Sequence, residues 1–144
     1  MNNQDYTASI EVAASAKAAF DGINSVSKWW VTNTDGNSEK LGDVFSVRWN
    51  GPFVTFKISE SVPEKSVVWD VTDCDLPFLK DTKEWVGTKV VFDIAPKGNA
   101  TDITLTHVGL APELECYGGC VKGWDQYFKD SLFKLITDGK GQPS

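Results

Sequence analysis

The sequence predicts a single α+β domain over residues 1–144. Its expected form is a curved antiparallel sheet of about six strands closed around one long C-terminal helix, with two short helices after the first strand. Three observations carry that expectation. Apolar and polar residues alternate in separate short runs bounded by turn residues, the pattern of half-buried antiparallel strands. The segment from Gly118 to Asp138 instead has helical spacing. A lone amphipathic helix can cover such a sheet only if the sheet curls around it, and that arrangement tends to leave a pocket between the two.

The elements follow in order. Tyr6, Ala8, Ile10 and Val12 alternate with polar residues and predict the opening strand. Ser15 then caps a helix, AKAAFDGI, with Ala16, Ala19, Phe20 and Ile23 on one face. SVSKWW is a second short helix, and NTDGNSEKLGD has the chemistry of turns. Strands are predicted at DVFSVRW, FVTFKISES, SVVWDVT, WVGTKVVFDIA and ATDITLTHV, with NGP, VPEK and PKGN among the separating turns. Phe45, Val47 and Trp49 share a face; so do Val54, Phe56 and Ile58, and Val67, Trp69 and Val71. Val86, Val90, Phe92 and Ile94 go together, as do Ile103, Leu105 and His107. Gly87 inside its strand implies a bulge or bend. Val121, Trp124, Phe128, Leu132 and Leu135 form the helix stripe, Gly139 suits its C-terminal stop, and GQPS is a frayed tail.

Composition excludes several functions. The chain carries a net charge of −6, and its Lys and Arg residues are scattered singly. Nucleic-acid binding and adsorption to anionic membranes are therefore not expected. No apolar run approaches membrane-spanning length, and MNNQDYTASI lacks the pattern of a secretory leader. Three cysteines in a domain large enough to need no disulfide point to a reducing, cytoplasmic setting.

The chemistry-bearing residues are few. Cys116 and Cys120 form a C-x₃-C pair, with the only histidine, His107, upstream and Cys74 far away. That set lacks the closely spaced ligand pairs of a zinc site and the C-x-x-C of a redox pair. No metal and no cofactor are expected, and the pair reads as small packed residues at the start of the helix. Asp73/Asp75 and Glu113/Glu115 suit solvated loops, and neither Gly87 nor Gly118-Gly119 sits in a phosphate-binding frame. No catalytic residue emerges. His107 faces inward, either as a hydrogen-bonded core residue or toward a ligand.

The aromatics carry more. Six Trp, eight Phe and three Tyr are a heavy load for this length. Trp49, Phe56, Trp69, Phe92, Trp124 and Phe128 converge from strands and helix, as plain core or as an aromatic-lined cavity. His107, Tyr127 and Ser131 are the polar groups best placed to orient a ligand there. Trp29 and Trp30 are expected to pack the short helices over one end, as part of an entrance.

The motifs then form a familiar series. The opening strand is followed by a helix containing Ala19-Phe20 and by KWW at Lys28–Trp30. W-x-G-T-x-V-x-F spans Trp85–Phe92, T-x-I-T-L-T-H-x-G-L spans Thr101–Leu110, and GWDQYFKDSL closes at Leu132. This series resembles START-like (SRPBCC) helix-grip domains. More narrowly, it resembles the family named after the C-terminal domain of the activator of heat-shock protein 90 ATPase. That superfamily includes lipid carriers, hormone receptors, polyketide cyclases, oxygenase subunits and co-chaperones. The resemblance implies three functions. The leading one is binding of a small hydrophobic, lipid-like or aromatic molecule, without catalysis, between helix and sheet. The second is stimulation of a chaperone ATPase in a stress response. That co-chaperone carries a separate domain ahead of this fold, whereas this chain opens at its first strand. The third is a cyclase- or hydrolase-type reaction in the same pocket.

Overall fold

A computed structural model describes residues 6–49, 51–77, 80, 82–110 and 117–143. The elements are β1 (Tyr6–Val12), α1 (Ala16–Asn24), α2 (Val26–Trp29), β2 (Thr34–Gly36), β3 (Val44–Arg48), β4 (Phe53–Val62), β5 (Ser66–Asp75), β6 (Lys89–Lys97) and β7 (Ala100–Val108). The C-terminal helix, α3, follows in three consecutive pieces: α-helical Tyr117–Trp124, π-helical Asp125–Leu132 and α-helical Phe133–Asp138.

All seven strands form one antiparallel sheet in the order β1-β7-β6-β5-β4-β3-β2. Alternation places its apolar residues on the concave side. One buried row runs Ile58, Trp69, Val90, His107 and Tyr6 across five strands, and Phe45, Phe56 and Val71 form a second. The β4–β5 ladder shifts register between Thr55 and Phe56 and again between Ile58 and Glu60. Such irregularities bend the longest hairpin and help the sheet to curl. The helices cover the concave side and leave the hydroxyl-rich opposite face to solvent, where Ser9 Oγ meets Thr104 Oγ1 at 3.0 Å.

Local chemistry explains the ends. Ser15 Oγ accepts from the Ala18 N–H at 3.1 Å and caps α1. Gly139 ends α3 at φ +80°, a left-handed stop that other residues adopt at a penalty.

Four expectations change. The turn-rich segment contains β2, which pairs Thr34 with Val47 and Gly36 with Phe45. Three residues are too few for alternation to register, and the sheet gains a seventh strand. β6 begins at Lys89, because Trp85–Thr88 turns. The bend expected at Gly87 is there, at φ +91°, with Val71 bonding across to Thr88 and Gly87; Val86 consequently faces solvent. Asp73 and Asp75 belong to β5, and Lys83 Nζ lies 3.0 Å from Asp73, whose carboxyl it holds below the usual range. The tail is pinned: the Gln142 N–H donates to Ser131 Oγ at 2.7 Å, and Gly141 packs against the Lys28 carbonyl. Cys116, Glu113 and Glu115 lie outside the described residues, as does the side chain of Cys120. Cys74 is buried on β5, which pushes its thiol up.

Replacing Ser15 by Ala removes the α1 cap and should destabilise the domain by about 1 kcal/mol. The urea midpoint should fall while the slope of the transition stays unchanged.

Candidate functional site: an aromatic seam

Between α3 and the sheet lies a continuous set of rings. Trp69, on the central strand β5, meets Phe45 at 5.0 Å and Phe92 at 4.8 Å, both edge to face, and Phe56 at 5.4 Å. Trp30 lies beside it, nearly parallel at 6.1 Å, and reaches Trp124 at 5.0 Å, Phe56 at 5.6 Å and Tyr127 at 6.3 Å. Phe128 faces Phe92 at 6.2 Å. Pairs at such separations contribute roughly 0.5–1.5 kcal/mol each beyond the area they bury. Trp29, Phe56, Trp69, Phe92 and Phe128 are all 0% exposed, so no water-sized space touches these rings. The set left open as core or cavity is packed ring on ring. Only its rim is wet: Trp49 and Tyr127 are half-buried, and the Trp49 Nε1–H reaches Tyr127 OH at 3.5 Å.

The structure thus gathers Trp49, Phe56, Trp69, Phe92, Trp124, Tyr127 and Phe128 in one place. His107 lies behind Trp124, and Ser131 is committed to the tail. Trp29 and Trp30 sit within the seam rather than at an entrance. Trp30 is the C-cap of α2, still in the α region, with its N–H donating to the Val26 carbonyl at 2.9 Å.

His107 bridges helix and sheet. The Trp124 indole N–H can only donate, so at 3.2 Å it fixes His107 Nδ1 as the acceptor. His107 Nε2 therefore carries the hydrogen and donates to Thr88 Oγ1 at 2.9 Å, and that hydroxyl donates to the Trp85 carbonyl at 2.7 Å. The ring is 0% exposed and stands edge-on to Trp85 at 4.5 Å. Of its two possible roles, the hydrogen-bonded core histidine fits: both nitrogens are engaged, and the geometry requires a neutral imidazole.

Two further features stand out. Tyr127, Phe128 and Ser131, the three candidates from the π piece, sit on i→i+5 geometry, which is rare and concentrated at functional sites. The spacing of four in Trp124, Phe128 and Leu132 suits that wider turn, and Phe128 and Leu132 are fully buried. Among the described residues, buried Trp69 Nε1 donates to no acceptor, and buried Asn24 Oδ1 at the end of α1 accepts from no donor.

Replacing His107 by Phe keeps a ring but orphans the Trp124 N–H, and should destabilise the fold by about 1–3 kcal/mol. In the wild-type protein, imidazole nitrogen NMR should report hydrogen on Nε2 alone. Hydrogen on Nδ1 would contradict the bridge.

The fold and site can be set beside known proteins. No curated protein matches the chain significantly. Among solved structures, the Aha1 dimer from Colwellia psychrerythraea is similar at 24% identity and a TM-score of 0.79, over 98% of this chain and 100% of that one. Protein MLL2253 from Mesorhizobium loti is similar at 17% identity and a TM-score of 0.72, over 95% and 100%. Protein SSP2350 from Staphylococcus saprophyticus is similar at 12% identity and 0.72, over 96% of each. Likeness at these identities establishes the fold, a START-like helix grip. The family described as "Activator of Hsp90 ATPase homolog 1-like protein" matches residues 18–137. The chain belongs to that family.

Proposed function

We propose that this domain binds a small hydrophobic or aromatic molecule between α3 and the concave sheet, in the cytoplasm and without catalysing a reaction on it. The observation that carries this reading is the π-helical Asp125–Leu132 piece lying over the aromatic seam. A π turn packs its side chains less regularly than an α turn, and a small shift in its bonding moves Tyr127 and Phe128 against the rings beneath them. The seam is closed, so the ligand enters by displacing a ring. Its chemistry is apolar and uncharged. His107 is held neutral, and a bare charge among these rings would be strongly disfavoured.

A second reading rests on the family description and on the Aha1 relative: a domain that engages a chaperone and raises its ATPase rate. Adding the protein to an Hsp90-type chaperone should then stimulate ATP hydrolysis, and an unchanged rate would remove this reading.

For ligand binding, native mass spectrometry of the purified protein should reveal a bound neutral small molecule. Adding an extract of such molecules should shift the indole resonances of Trp30, Trp69 and Trp124. A bare mass together with unmoved indole resonances would overturn the proposal.

A further inference from the structure

We infer that Trp30 is a displaceable plug, and that the molecule replacing it is a flat, uncharged aromatic carrying one hydrogen-bond acceptor for the Trp69 indole N–H. This deepens the ligand-binding reading above and rests on it.

Two observations meet here. The first is polar. Trp69 is 0% exposed, and its ring neighbours are Trp29, Trp30, Phe45, Phe56 and Phe92. Its N–H therefore lies within a surround of rings, and among the described residues it has no acceptor. A π face offers an N–H only a weak substitute. Buried donors in folded proteins are nearly always paired, so an orphan at the centre of a seam marks an acceptor that the chain itself does not supply. Two of the other three buried indoles in the seam are satisfied: Trp29 donates to the Ile23 carbonyl at 3.2 Å and Trp124 to His107.

The second observation is mechanical. Most of the other seam rings stand on long strands or on α3, whereas Trp30 only caps the four-residue helix α2. So short a helix has little stability of its own. Trp29 is tied down by its hydrogen bond; among the described residues the Trp30 indole has none. Trp30 nevertheless touches Trp124 and Tyr127 on one side and Phe56 and Trp69 on the other, so it occupies the space that a ligand spanning helix and sheet would take. Its release opens an apolar space against Trp69, the ring that carries the unpaired donor. A ring of similar size bearing a carbonyl or ring nitrogen matches that space. A charged or bulky aliphatic molecule does not.

The test uses quinoline and naphthalene, near-isosteres that differ in one ring nitrogen, at neutral pH where quinoline is uncharged. Trp30→Ala should tighten quinoline binding roughly tenfold or more, because the competing ring is gone. Adding Trp69→Phe should lower the quinoline-to-naphthalene affinity ratio roughly five- to tenfold, the worth of one neutral hydrogen bond. Should Trp30→Ala fail to fold, Trp30→Leu serves in its place. In the wild-type protein, quinoline but not naphthalene should move the Trp69 indole N–H resonance downfield. Binding of both probes with a ratio indifferent to Trp69 would overturn the inference while leaving the seam as a site. Binding of neither, to wild type or variants, would overturn the reading beneath it.

Discussion

The structure depends on how one helix is held against a curved sheet. Rings supply most of the contact, but rings alone slide; what sets the position of α3 is the polar chain from Trp124 through His107 and Thr88 to the Trp85 carbonyl. It joins the end of the first α-helical piece of α3 to β7 and to the turn before β6. Each donor in the chain has an acceptor, so burial adds strength to the bridge rather than a penalty. Breaking one link would strand a buried donor, and that one-sidedness makes the bridge a positional lock.

With Trp124 locked, the next part of the helix must still place Phe128 and Leu132 on the sheet side. The wider π turn does this, and Phe128 against Phe92 supports it. Beyond it, Ser131 holds Gln142, and Gly141 lies against the Lys28 carbonyl, so the tail links α3 to α2. The shortest element holding a seam ring is α2, whose cap Trp30 is packed among rings but has no indole hydrogen bond among the described residues. The domain thus combines long strands and the His107 bridge with a four-residue helix whose capping ring fills the middle of the seam.

Much of this was legible in the sequence. Period-two alternation found the strands and put Phe56, Trp69, Phe92 and His107 on one face, because burial on a single side leaves a periodic trace. Ser15 announced a helix start by its capping hydroxyl, and Gly139 a helix end by its freedom to adopt positive φ. Other features left no local trace. β2 is too short to show a period. Trp85–Thr88 carries strand-like residues but turns at Gly87, since the pairing of β5 decides where the ladder ends. Trp30 sat beside Trp29 in a plausible helix, and its ring partners on the sheet and on α3 come together only in the fold. Ser131 met the tail through a contact eleven residues away in sequence, which no periodicity encodes. The partner of His107 was equally hidden: its inward direction could be read, whereas Trp124 and Thr88 come together only in the fold.

The central claim is that α2 and Trp30 open while the sheet and the His107 bridge stay folded. Hydrogen exchange of the indole N–H groups, followed by NMR under native conditions, tests it most directly. The account predicts that the Trp69 N–H exchanges together with the α2 amides, through a local opening much easier than global unfolding, while the Trp124 N–H and the β5–β6 amides exchange only on global unfolding. A Trp69 N–H that exchanges no faster than the β5–β6 amides would contradict it.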